Sequence, residues 1–142
     1  MVNDKSQRKP FELINPVELY DPSAHGYSHV ALIAPNSRIA MLAGQGGETR
    51  DGGLSADFTE QVRQALMNLA SAAKAAGGSM QHIVKHTMLV VDFDDSKLQI
   101  LAQELERAYS GHKPTGTLIP VPRLALSSML FEIDAVLAVP SA

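Results

Sequence analysis

Cysteine is absent from this 142-residue chain, and aromatic residues make up only 5% of it. Without cysteine there is no disulfide, no thiol nucleophile and no thiolate metal ligand, and the composition fits a reducing compartment. A dominant charge sign is also missing. Twelve Lys and Arg stand against fifteen Asp and Glu, giving a net charge of −3. No basic block is visible, so nothing marks a nucleic-acid partner. No apolar run approaches a membrane span, and Met1 to Lys9 lacks the apolar core of a secretory signal. The expectation is a cytoplasmic protein without a membrane partner. Residues 1–10 read as a disordered tail and 11–142 as a single domain, large enough for a sizeable core.

Several chemical signatures are missing too. Gly44-Gln45-Gly46-Gly47 does not complete G-x-G-x-x-G, no G-K-[ST] is present, and there is no G-x-S-x-G elbow. No cofactor is implied. The pairs His25/His29 and His82/His86 have i,i+4 spacing, but they fall on loop and strand. Four strand residues span about 13 Å, too far for two ligands of one ion. No metal site is expected.

What is present reads as alternating elements. Val30–Ala34 and Ile39–Ala43 are apolar runs flanking the turn residues Pro35-Asn36-Ser37, which predicts a β-hairpin ending in a glycine-rich pocket rim. Gln45 to Gly53 reads as an exposed loop. Phe58, Val62, Leu66, Leu69, Ala73 and Ala76 recur at helical spacing. Asp57 is the expected N-cap with Glu60 in the capping-box position, and Gly77-Gly78 the stop. Ile83–Val91 reads as a strand. A second helix starts at Asp94-Asp95-Ser96 and ends by Gly111. Thr117–Val121 is a short strand that Pro120 confines to an edge or a bulge. Met129–Val139 is a long last strand. Its Phe131, Ile133, Ala135, Leu137 and Val139 face one way, and Leu130, Glu132, Asp134, Val136 and Ala138 the other. With Phe11–Ile14 as a first strand, the order is β-β-β-α-β-α-β-β. The predicted class is α+β, with both helices on one face of the sheet. The second face of the last strand is mostly apolar, which suits burial against another subunit.

Gly26-Tyr27-Ser28-His29 followed by Ala43-Gly44-Gln45 resembles the reactive-intermediate deaminase family (Rid, also called YjgF). Asn15-Pro16, Tyr20, Gln61, Asn68-Leu69, Ala75-Ala76-Gly77, Val84-Lys85-His86-Thr87, Val91-Asp92, Leu124-Ala125 and Glu132-Ile133-Asp134-Ala135 extend the likeness from about Phe11 to Val139. The resemblance implies a chorismate-mutase-like protomer with a mixed sheet. It also implies a homotrimer whose ligand sites lie in the clefts between subunits. One departure stands out. Deaminases of the family carry P-x-R, whose arginine grips the substrate carboxylate. Here the segment is Pro114-Thr115-Gly116, and a Cys or Thr often found two residues on is Leu118.

On the resemblance, Glu132 is the candidate catalytic residue, a carboxylate placing a water or proton at an imine. Asp134 is a weaker candidate on the same face. Tyr27 lines the pocket mouth, and Gly44 lets the backbone approach the ligand. Gly116 and Leu118 are read as making a roomier, more apolar pocket, with Arg123, Lys113, Arg50 and His29 as conceivable replacements for the missing cation. A structural carboxylate, a loop anchor and a strand-end bulge are the plain alternatives for Glu132, Tyr27 and Gly44. The expected activity is hydrolysis of an enamine or imine to a carbonyl compound and ammonia, with an altered substrate. The alternatives are a non-catalytic metabolite-binding trimer, or a related hydrolase using the same cleft.

Overall fold

The computed structural model describes residues 9–141. Most of the expected tail therefore lies outside the described residues. Six strands and two α-helices follow in the predicted order: β1 (Phe11–Ile14), β2 (Val30–Ile33), β3 (Arg38–Gln45), α1 (Phe58–Ala75), β4 (Ile83–Val91), α2 (Asp95–Tyr109), β5 (Thr115–Val121) and β6 (Phe131–Val139).

Helix α1 begins where the sequence indicates. The Asp57 carboxylate accepts from the Glu60 backbone N–H at 2.9 Å. The capping box is not reciprocal, however. The Ser55 hydroxyl, not the Asp57 backbone, donates to the Glu60 carboxylate, and the Asp57 N–H donates to Ser55 Oγ. Gly77 ends the helix with φ +82°, a conformation that favours glycine. Asp94 caps α2 in the same way as Asp57 caps α1.

The main sheet has the order β3-β6-β4-β5. β6 is antiparallel to both neighbours, and β4 and β5 are parallel across the α2 crossover. The sheet is thus mixed, and the chain's last strand is at its centre. β5 lies at an edge, as Pro120 requires. Phe131, Ile133, Ala135, Leu137 and Val139 are all buried and pack with Val62, Leu66, Leu69 and Leu101 of the helices. Each such large apolar side chain contributes about 1.5–3 kcal/mol relative to exposure. Both helices cover this one face.

The hairpin expectation is corrected. The turn is present, with Asn36 at φ +65°. Yet β2 pairs with β1, and β3 pairs with β6 in the other sheet. The link is fastened to Pro10, whose carbonyl accepts from the Ala34 N–H and the Ser37 hydroxyl. Those bonds direct β2 onto β1 and away from β3. The opposite face of the main sheet carries Ile39, Met41 and Ile119, all exposed in the protomer, with Met41 76% accessible.

Candidate functional site

Glu132 projects from β6 onto that open face, directly across from Leu89 of β4, which in turn lies across from Ile119 of β5. The carboxylate is half-buried in an apolar row. It has no hydrogen-bond or ion-pair partner among the described residues. Gly44 sits where the β3–β6 register slips between Leu42 and Gln45. A Cβ on Gly44 would overlap the Glu132 carboxylate oxygen and stand 2.8 Å from its Cδ. The structure therefore brings these two candidates together, and the glycine is what leaves room for the acid. Asp134, two residues on, is exposed.

The rim beyond Gly44 differs from the exposed loop that the sequence predicts. Gly46 and Gly47 are buried. Asn68 of α1 donates to the carbonyls of Gly46 and Glu48 at 3.0 and 2.8 Å. A Cβ on Gly47 would lie 2.6 Å from the Gln61 Cα. Gln61, fully buried, donates to the carbonyls of Ser55 and Ser128 and accepts from the Leu130 N–H at 2.8 Å. It thereby fixes the start of the strand that carries Glu132. Sequence reasoning assigned Gln61 no role. Its signals were its place among the residues that carry the family likeness and a polar side chain beside Phe58 and Val62 on the buried stripe.

Tyr27 belongs to a different place. The next residue, Ser28, is buried; its N–H donates to the Pro114 carbonyl and its hydroxyl to that of Lys113. Tyr27 thus stands beside the start of β5, within an aromatic group in which Tyr20, Tyr27 and His29 meet edge to face. Thr115 aligns with Lys85, four residues along β4 from Leu89. The two ends are thus about 13 Å apart. Within one protomer, Tyr27 and Glu132 do not converge.

Gly116 and Leu118 require a correction. Both lie on the helix-covered face, in register with His86 and Met88. The space beside Gly116 is not a roomier pocket. It holds the His86 imidazole, whose Cδ2 would be 2.7 Å from a Cβ at 116. His86 is 4% exposed, and its Nδ1 lies 2.7 Å from the Tyr109 hydroxyl. Burial pushes the His86 pKa down to about 4 and the Tyr109 pKa up. Leu118 packs on the core. Of the conceivable replacement cations, Lys113 donates to the Ser23 carbonyl and Arg123 to that of Leu124. His29 contacts the Tyr20 carbonyl at 2.8 Å.

Among the described residues, no group of three or more His, Asp or Glu is arranged to hold a metal ion, and no helix is long and apolar enough to cross a membrane. His82 lies on a single 3-10 turn, where its Nδ1 accepts from the Ser79 N–H.

Two helices on one face of a mixed sheet, with a lone carboxylate against a glycine bulge on the other, define an α+β protomer of the YjgF-like type. The family model described as Endoribonuclease L-PSP matches residues 19–139, and the chain belongs to this Rid/YjgF family. A human protein named 2-iminobutanoate/2-iminopropanoate deaminase is 30% identical over 118 residues, 81% of this chain and 82% of that protein. Its rat counterpart, of the same name, is 31% identical over 119 residues. Among solved structures, YyfB from Yersinia pestis, a Rid-family protein of unknown function, superposes with a TM-score of 0.86. It shares 28% identity and covers 92% of this chain and 100% of its own.

Proposed function

We infer that this protein is a Rid-type hydrolase that converts a small imine or enamine into a carbonyl compound and ammonia. The observation that carries this reading is the Glu132 carboxylate, unpaired among the described residues and seated against Gly44 on an apolar, uncovered sheet face. Water adds to the imine carbon, Glu132 relays a proton to the nitrogen, and the resulting carbinolamine releases ammonia as the carbonyl forms. A partly desolvated carboxylate suits this proton transfer. The deaminase names of the human and rat relatives support the same chemistry.

The site is completed between copies. Tyr27 and Glu132 are far apart in one protomer, while Ile39, Met41 and Ile119 leave the Glu132 face apolar and open. A homotrimer with Tyr27 of one subunit facing Glu132 of the next reconciles the two. A second reading, a metabolite-binding trimer or a hydrolase with another substrate, is favoured by a single observation. Glycine stands at 116, with its side-chain space filled by His86, so the carboxylate-gripping cation is missing.

The test is the decay of 2-iminopropanoate and of larger imines, generated in situ by an amino-acid oxidase, with and without the protein. Acceleration that Glu132→Gln abolishes supports the hydrolase. No acceleration of any imine by the folded trimer would establish the binding reading instead.

A further inference from the structure

We propose that the Nε2–H of His86, presented through the gap left by Gly116, is a ligand-binding donor that selects an uncharged carbonyl group in place of a carboxylate. The inference rests on the proposed function for the reacting group, and on the geometry around Gly116 for everything else.

The Tyr109 hydroxyl is 3% exposed by residue, and its one hydrogen-bond partner among the described residues is His86 Nδ1. A buried phenol with one partner uses it to satisfy its proton, because an unmet buried donor costs about 1–3 kcal/mol. Tyr109 therefore donates and Nδ1 accepts, which places the imidazole hydrogen on Nε2. That nitrogen has no hydrogen-bond partner among the described residues. No fully enclosed side-chain nitrogen or oxygen there lacks one. Nε2 is therefore not fully enclosed. Gly116 leaves the space beside that nitrogen free of a side chain, since Nε2 is the atom that a Cβ at that position would overlap. Gly116 lies on the free edge strand, two residues from Pro114, to which the Tyr27–Ser28 segment is bonded. The donor thus lies against the edge strand, two residues from the point where the segment carrying the aromatic group is anchored.

The ring is neutral in the folded state, since burial opposes its protonation. The flanking cations do not supply charge at the gap. Lys113 Nζ is engaged with the Ser23 carbonyl, and Lys85 is on the opposite face of the sheet. A neutral donor in an apolar setting pairs well with an amide or ester carbonyl. It compensates poorly for the lost hydration of a carboxylate.

Pyruvamide and pyruvate, equal in size and different in charge, are the probes. Their binding is followed on the whole protein by proton–nitrogen correlation spectra of the histidine rings. The free protein is expected to show His86 as the Nε2–H tautomer. Pyruvamide is expected to shift His86 Nε2 and to bind about tenfold tighter than pyruvate, a difference of ~1.4 kcal/mol. Gly116→Ala, with a folded amide spectrum, is expected to lose that shift. An Nδ1–H tautomer, equal or tighter binding of pyruvate, or no Nε2 shift with either probe overturns the proposal. If Gly116→Ala does not fold, the two-probe comparison on the unaltered protein still decides. No turnover is read, so a failed hydrolase assay and a failed His86 assay are separate results.

Discussion

The Glu132 carboxylate occupies the volume that a side chain at Gly44 would need. The crowded atoms are the far end of a flexible side chain, so the conflict is resolved by moving the acid and not the backbone. Gly44→Ala is therefore expected to lower imine-hydrolysing activity while leaving the Tm within a few degrees of the parent. Gly47→Ala makes the opposite case. Its Cβ meets the backbone of α1 at Gln61, which cannot rotate away. A loss of about 1–3 kcal/mol in denaturant unfolding is expected there. Equal stability losses for the two variants would show that the bulge at Gly44 is as rigid as the helix contact.

Removing the carboxylate itself separates chemistry from packing. Glu132→Gln keeps size and shape, and the residue has no partner to lose among the described residues. Activity should fall by roughly 10²–10⁴-fold, the usual contribution of a positioned proton carrier, with little change in Tm. Steady-state kinetics beside a thermal melt gives both readings. Undiminished turnover would remove Glu132 from the mechanism.

His86 gives the fold a pH dependence of definite sign. Its folded pKa is about 4 against 6.5 for an ordinary histidine, because burial disfavours the imidazolium. Between those values the unfolded chain holds the extra proton and the folded one does not. Stability therefore declines as the pH drops from about 6.5 to about 4, by an amount on the order of 3 kcal/mol, and then levels off. His112 is shifted in the same direction, also by burial, and adds to the slope. Urea titrations across this range should show a much shallower slope in His86→Phe. A slope unchanged by the substitution would mean that the imidazole is already protonated in the folded state.

The apolar face around Glu132 predicts its own cover. Met41→Glu places a charge at the most open large apolar position of the sheet. Light scattering coupled to size exclusion should show a trimer for the parent chain and a smaller species for the variant. Parent protein that is monomeric at micromolar concentration contradicts the intersubunit cleft.

How much of this was written in the sequence differs from residue to residue. The two faces of β6 follow from strict alternation at 131–139, and the buried stripe of α1 from its spacing; both are local patterns with one meaning. The partner of β2 was not legible. Pro35-Asn36-Ser37 specifies a reversal, and the same reversal serves strands that pair and strands that diverge. What separates the two outcomes is the pair of bonds to Pro10, a contact that no periodicity reports. Gly116 misled for a related reason. A missing side chain reads as empty space, whereas the occupant, His86, comes from the neighbouring strand and is remote along the chain. Family motifs singled out Glu132, Gly44 and Tyr27 as candidates. That Glu132 and Gly44 touch while Tyr27 lies elsewhere depended on strand register, which a list of motifs does not contain.

The central position of β6 has a consequence for how the protein is made. β3 and β4 do not pair with each other; both pair with β6, which is synthesised after either of them. Until residues 131–139 have left the ribosome, the nascent chain holds an incomplete sheet and two helices lacking the surface they cover. Sheet assembly therefore waits for β6, and it depends on contacts far apart along the chain, the kind that form slowly. A ribosome stalled within β6 would carry a segment that is cut readily by proteases, and protection would arrive once β6 is free to pair with β3 and β4.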